Sequence, residues 1–383
     1  MPVISCGGMR YQHSWKDEEA SGITHEGQAN LEATVERALE LGINHIETAR
    51  GYGTSEVQLG RILPKLPREK MIVQTKISPC ADPNEFLATF NRSMANLRLD
   101  YVDLLGLHGI NNDELVDFSL RPNGCLGVAR QLQKQGRVRF VGFSTHAVPR
   151  VILRAVETGE FDYVNLHWYF VNPLNWPAVL AARKRDMGVF IISPNDKGGV
   201  LQNKPAKMAK LCAPLLPMQF NDLYCWTRPE VHTLSCGAAR PSDFNEHIEA
   251  LKFYESAGET MAPIEHRLRE EMRRILGEDW CEHWNESLPE YSDAPYQVNI
   301  IETLRLWTFA KSLDLVEWGK MRYNLLGGNG GHWFPGEMAN KIEDEQKLQA
   351  AIRNNRFAAR IPQILREAHQ LLFEEPKKRL SQT

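Results

Sequence analysis

The chain has 383 residues, a formal net charge of −3, 43% hydrophobic and 24% charged residues, a globular make-up that excludes the disordered and fibrous classes. Its length suits a large domain of roughly 250 residues followed by a smaller one. Lys and Arg are spread along the chain with no basic field for nucleic acid, and no stretch nears the roughly 18 consecutive apolar residues of a membrane span.

The opening MPVISCGGMR carries neither a basic segment nor a long apolar run, so a cytoplasmic protein without a leader is expected. Cys6, Cys80, Cys125, Cys212, Cys225, Cys236 and Cys281 are scattered and never spaced as CxxC. That usage argues against a disulfide framework and a zinc site, and no metal is expected.

In chain order, Pro2 to Ser5 is the first predicted strand. Leu31, Val35, Ala38 and Leu39 then fall on one face of a helix that Gly42 stops. Ile43 to Thr48 and Met71 to Lys76 are short, apolar and rich in Ile and Val, as strands are. Asp82, Pro83 and Glu85 are an N-cap, a first-turn proline and a capping acid, and Phe86, Phe90, Met94 and Leu97 supply the buried stripe of the helix they start. Val102 to Leu107, Val138 to Phe143, Tyr163 to His167, Val189 to Ser193 and Val231 to Cys236 complete eight predicted strands.

Strands alternating with helices mean a closed barrel or an open doubly wound sheet, and the count of eight favours the (β/α)8 TIM barrel. No Gly-x-Gly-x-x-Gly follows a strand, so the dinucleotide fingerprint of the open sheet is missing. After residue 250 the sequence turns charged and helical, as in Ile264 to Gly277 and Val298 to Leu315, with a Gly-rich break at Gly327 to Gly331 and a fraying tail at Lys377 to Thr383. The expected domains are a barrel over 1–250 and an all-helical appendix over 251–383.

Barrel enzymes react where strands end and βα loops begin. Glu47 ends the second predicted strand, Tyr52 lies in the loop after it, Lys76 ends the third and His108 follows the fourth. Singly, each has a plainer role: an N-cap, a turn aromatic, a snorkelling amine, a core imidazole. Together they share one mouth, where a lysine on an apolar strand needs a carboxylate, and Glu47 is placed to be it. Such a set can deliver a proton to a carbonyl oxygen, with Lys76 expected to lower the Tyr52 pKa and His108 to orient the oxygen.

These residues match a family. GINHIETARGYGTSEVQLG resembles the aldo-keto reductase signature GxxxxDTAxxYGxSExxLG, while MIVQTKI and YVDLLGLHGI resemble the strands carrying that family's Lys and His. The resemblance implies a catalytic set of Glu47, Tyr52, Lys76 and His108, with Glu where the family has Asp. It continues through RVRFVGFSTHA, FDYVNLHW, GVFIISPNDKGGVL and SCGAARPSDFNEHIEAL.

The cofactor it implies is NADP(H), contacted by Met9, Arg10, Ser144, Thr145, Asn165, Ser193, Asn195, Lys197, Gly237, Arg240 and His247. Within that set Asn165 stands where Gln is usual beside the nicotinamide amide, Arg240 falls near the 2'-phosphate, and His247 replaces an Asn. The family's N-terminal hairpin has no counterpart ahead of PVISCGGMR. The implied activity is reduction of an aldehyde, ketone or quinone. An NADP-binding redox-sensing regulator is the alternative, and an isomerase or lyase on an ordinary barrel the third. Aromatic loops at Arg10–Gly22, Gly109–Gly124 and Trp168–Trp176 hint at a flat or apolar substrate.

The appendix resembles the C-terminal helical domain of a reductase subfamily that carries ferredoxin-like CxxCxxCxxxCP motifs. Aligned on Pro289, the ligand positions hold Glu278, Cys281, Trp284 and Leu288; aligned on Pro335, they hold Asn324, Gly327, Gly330 and Phe334. With one thiol left, no iron–sulfur cluster is expected. The domain is expected to cover part of the mouth or to act as a stabilising cap, and it leaves room for a redox partner.

Overall fold

In the computed structural model, which describes residues 1–194, 201 and 205–374, eight parallel strands close into a barrel in chain order. They are β1 (Ile4–Gly7), β2 (His45–Glu47), β3 (Ile72–Ile77), β4 (Val102–Leu107), β5 (Val138–Ser144), β6 (Tyr163–Leu166), β7 (Gly188–Ile192) and β8 (Thr233–Gly237). The sheet closes where Ser5 pairs with Ser235 and Gly7 with Gly237. This is the (β/α)8 architecture expected from the sequence. The first strand lies two residues later than predicted, because pairing with both β2 and β8 carries it to Gly7.

The helices of the barrel are α1 (His25–Glu40), α2 (Ser55–Leu59), α3 (Pro83–Leu97), α4 (Asp113–Leu120), α5 (Cys125–Lys134), α6 (Pro149–Val156) and α7 (Trp176–Lys184). Then α8 (Ala206–Cys212) and α9 (Pro217–Trp226) precede β8, and α10 (Asn245–Leu251) follows it. Start signals act as written in the sequence: Thr24 Oγ1 accepts from Gly27 N at 3.0 Å to open α1, and Asp82 Oδ1 accepts from Asn84 N at 2.9 Å to open α3. Phe86, Phe90, Met94 and Leu97 are all buried on α3, each stabilising the fold by about 1.5–3 kcal/mol.

Inside the barrel, side chains at alternate strand positions form layers. Ile72, Leu104, Tyr163 and Phe190 make an apolar cluster, with the Tyr163 and Phe190 rings stacked at 4.9 Å. Two residues further along their strands the interior turns polar, with Gln74 on β3 and Asn165 on β6 bonded across it. On β5, a side chain at Gly142 would meet the Tyr163 ring at 2.5 Å, so only glycine leaves room for that phenol.

The described residues fall into two compact units, 1–194 with 221–257, and 201 and 205–220 with 258–374. The second contains α8, all but the first residue of α11 (Ala257–Leu276), α12 (Glu278–His283), α13 (Ile300–Leu313), α14 (Val316–Tyr323), α15 (Glu345–Ile352) and α16 (Ile361–Leu372). Trp280 fills its core, 5.4 Å from the Trp307 ring and 4.9 Å from Phe357, with its indole N–H donated to Thr308 Oγ1 at 3.0 Å. Cys281 is half-buried on α12, and Trp284 is buried with its carbonyl accepting from Asn355 Nδ2 at 3.1 Å. Among the described residues no three His, Cys, Asp or Glu side chains gather to hold a metal, and no helix is long and apolar enough to cross a membrane. The tail at Lys377 to Thr383 lies outside the described residues.

Candidate active site

Chain geometry after β2 delivers the phenol. The loop keeps pairing with β3, as Thr48 N donates to Gln74 O at 2.8 Å and Arg50 N to Lys76 O at 2.9 Å. It then turns at Gly53, whose φ is 52° and where a Cβ would lie 2.0 Å from Ser14 O. No side chain fits there, so this glycine sets the position of Tyr52 beside it.

The four catalytic candidates meet. Lys76 Nζ lies 2.5 Å from Glu47 Oε1, 3.1 Å from Thr48 O and 5.3 Å from the centre of the Tyr52 ring. The His108 ring stands edge-on to Tyr52 at 5.6 Å and 86°. Glu47 and Lys76 are buried, while Tyr52 and His108 are half-exposed. Glu47 uses both oxygens: while Oε1 holds Lys76, Oε2 accepts from Ser5 Oγ at 3.1 Å and from Ser235 Oγ.

Burial pushes the Lys76 ammonium down, but Glu47 and then Tyr52 more than restore it, leaving it above its ordinary 10.5. Burial also pushes the Glu47 carboxyl up, and Lys76 and His45 outweigh it, leaving it below 4.5. The pair is therefore ionised across neutral pH. At Tyr52, burial raises the phenol pKa more than Lys76 lowers it, so the net shift is upward from 10.0. The sequence pointed to a net lowering. Lys76 acts in that direction, but burial prevails, and the phenol keeps its proton at neutral pH.

Of the other predicted positions, Met9 and Arg10 follow β1, Ser144 ends β5 and Thr145 follows it, Asn165 is on β6, Ser193 follows β7, Gly237 and Arg240 stand at and after the end of β8, and His247 is on α10. Asn165 on β6 is fully buried, and its Nδ2 has no partner among the described residues. Ser144 Oγ accepts from Gly109 N at 3.0 Å. Thr145 Oγ1 donates to Ile110 O at 2.7 Å and accepts from Ala147 N at 3.0 Å, so its hydroxyl is spent on the loop. Met9 is half-buried just after β1, and Ser193 follows β7 with φ 54°.

Arg10 donates to Gly237 O at 3.2 Å and lies 3.4 Å from Asp243, which also holds Arg240 at 3.2 Å. The Arg240 side chain is 73% exposed. His247 is buried, 2.6 Å from Asp222 and 3.7 Å from the Cys236 sulfur. Burial pulls the His247 imidazole down, but Asp222 lifts it well above 6.5. Its Nδ1 is thus engaged inside the protein. Asn195 and Lys197 lie outside the described residues.

Three features went unread in the sequence. His45 and Gln74 point into the barrel and bond at 3.0 Å; their period-two spacing with Glu47 and Lys76 was the available signal. His146 Nδ1 lies 2.7 Å from His167 Nε2, and Tyr169 OH 3.3 Å from His167 Nδ1, a pairing across two strand ends that no spacing reveals. A cavity of about 250 Å³ is lined by Arg50 and Gly51 on the loop after β2, Ser78 and Cys80 on the loop after β3, and Glu85 and Thr89 on α3. The aromatic hint, by contrast, loses its basis at Trp168–Trp176. There Trp168, Tyr169 and Phe170 are buried, and Trp168 stacks on Tyr224 at 5.1 Å.

The chain is similar to known proteins. The family described as "Aldo/keto reductase family" matches residues 3–261. The L-galactose dehydrogenase of Arabidopsis thaliana is 26% identical over 268 residues, covering 61% of this chain and 82% of the relative. The NADH-specific methylglyoxal reductase of Escherichia coli is 26% identical over 191 residues, covering 43% of this chain and 56% of the relative. The aldo-keto reductase of Bacillus halodurans in holo form superposes with a TM-score of 0.57 at 19% identity, over 69% of this chain and 91% of that one. Most of the helical unit lies beyond the family match.

Proposed function

This chain belongs to the aldo/keto reductase family, a family of oxidoreductases, and from that premise we propose that it reduces small aldehydes, ketones or quinones to alcohols with NADPH, Tyr52 giving the proton. The observation that carries the reading is the buried Glu47–Lys76 ion pair set beneath a half-exposed phenol. A charge buried at such a cost is a mark of a working site.

The residues present fit a nicotinamide dinucleotide. Asn165 offers a buried, unpartnered amide nitrogen. Gly237, free of a side chain, lets Arg10 pack over the end of β8, where a Cβ would lie 3.3 Å from Arg10 Cδ, and two guanidiniums, Arg10 and Arg240, share the single carboxylate of Asp243. Ser193 and the predicted Asn195 and Lys197 would add contacts from the segment after β7. When bound, the cofactor supplies hydride.

The protein's own part is proton delivery and placement. Tyr52 donates to the carbonyl oxygen, and the Lys76 ammonium stabilises the phenolate left behind. Glu47 keeps Lys76 charged throughout. His108, edge-on to the phenol, orients the oxygen by a hydrogen bond. Arg240 favours NADPH, since a guanidinium gains a bidentate pair where a 2'-phosphate exists. The redox partner expected at the helical unit has no feature of that unit behind it and forms no part of the proposal.

The test is a panel of aldehydes, ketones and quinones followed by loss of reduced-nicotinamide absorbance, with NADPH and NADH run side by side. Turnover of at least one class, with NADPH preferred, is expected. Tight NADPH binding without turnover of any would instead select the redox-sensing regulator.

A further inference from the structure

The two strands that close the barrel carry the same tripeptide in register. Ser5, Cys6 and Gly7 on β1 pair with Ser235, Cys236 and Gly237 on β8, so the two serines stand side by side. Both aim at one atom, since Ser5 Oγ donates to Glu47 Oε2 at 3.1 Å and Ser235 Oγ donates to the same oxygen. Ser5, Ser235, Glu47 and Lys76 are all buried.

The hydrogens in this cluster can be counted. A hydroxyl has one to give and an ammonium three. Each serine spends its own on Oε2, while Lys76 gives one to Glu47 Oε1, one to the Thr48 carbonyl and one to the Tyr52 phenol. Among the described residues no other donor reaches the Glu47 carboxylate. With both hydroxyls gone, Oε2 would be a charged oxygen shut away from water with no hydrogen on it, which is costly. The ammonium beside it is the donor left to relieve that cost. A carboxylate that turned both oxygens to Lys76 would take up the hydrogen that Tyr52 now receives, and that hydrogen is what holds the phenolate once its proton has left.

We propose that Ser5 and Ser235 are positioning residues: by occupying Glu47 Oε2 they keep the carboxylate from taking a second hydrogen of Lys76, and so reserve that hydrogen for Tyr52. Both act through Glu47 and Lys76, one step removed from the reacting atoms. The proposal rests on the reading of Tyr52 as the proton donor to a carbonyl.

The experiment is the double variant Ser5→Ala/Ser235→Ala, made in the native protein and in Tyr52→Phe. In the native protein kcat for carbonyl reduction is expected to fall by about tenfold, with KM and cofactor affinity within about twofold, because one hydrogen bond to a charge is lost from the transition state alone. In Tyr52→Phe there is no phenol to serve, and the residual rate is expected to stay within about twofold. A merely structural pair lowers the melting midpoint in both and leaves kcat of the folded protein unchanged. Native kcat in the folded double variant, or an equal loss in Tyr52→Phe, overturns the proposal. Ser235→Ala, which keeps one hydroxyl on Oε2, takes the same comparison if the double variant does not fold.

A second readout needs no turnover. In protein labelled with carbon-13 at tyrosine Cζ, the Tyr52 resonance is the one lost in Tyr52→Phe, and at about pH 10 it is expected to show less phenolate in the double variant than in the native protein. Identical titration of the two overturns the proposal whether or not the protein reduces a carbonyl. A shifted titration in a protein that reduces none upholds the role of the serines and defeats the proton-donor reading instead.

Discussion

Lys76 Nζ and Glu47 Oε1 stand 2.5 Å apart with both side chains shut off from solvent. The folded carboxyl lies below its ordinary 4.5, so its contribution is present above that pH and is lost as pH falls through the lower folded value. The folded ammonium lies above 10.5, so its contribution is present below that pH and is lost as pH rises through the higher folded value. Glu47→Gln is expected to cost about 3 kcal/mol at neutral pH, the penalty of stranding one buried charge. Denaturant melts across the pH range check this: the gap between native and variant should narrow at both extremes, and a gap constant with pH means that the ion pair is not its source.

Tyr52→Phe deletes one proton and little else. Carbonyl reduction is expected to fall by about 10²–10⁴ while cofactor affinity stays within about twofold. Steady-state rates beside calorimetric binding decide it, and near-native turnover ends the proposed mechanism.

Arg240 reaches into solvent and needs a second partner to matter. Arg240→Ala is expected to weaken NADPH by about tenfold and NADH hardly at all, since one charge-assisted contact disappears with the 2'-phosphate alone. Equal losses for the two cofactors would place Arg240 away from the phosphate.

His247 faces Asp222 at 2.6 Å in the interior, so its removal is expected to be felt as stability. His247→Leu leaves a carboxylate buried without its cation, at a cost of about 3–5 kcal/mol. NADPH affinity of the folded variant, measured below its melting range, should stay within about threefold. A large loss of affinity in a protein that melts like the native one assigns the imidazole to the cofactor instead.

The helical unit is held by aromatic packing around Trp280. Trp280→Ala is expected to destabilise it by about 3–5 kcal/mol, read as a lowered melting midpoint. Anaerobically purified protein should show substoichiometric iron and sulfide; full occupancy would overturn the cluster-free reading of Cys281 and its neighbours.

Local signals determined much of this protein without the structure. The alternation of eight apolar runs with capped, striped helices favours a barrel over an open sheet, because strand and helix periods are written residue by residue and the strands can be counted. The same runs put Tyr52, Lys76 and His108 at strand ends, where a barrel gathers its chemistry. What the sequence leaves open depends on closure of the sheet and on burial. Ser5 and Ser235 meet Glu47 only because β1 pairs with both β8 and β2, and that meeting gives the longer carboxylate its second set of bonds. His247 reads as a cofactor contact by position, yet the Asp222 that engages it lies 25 residues away in the chain. The net direction of the Tyr52 pKa is decided by how far burial outweighs the ammonium beside it, a balance set by three-dimensional packing and invisible to spacing.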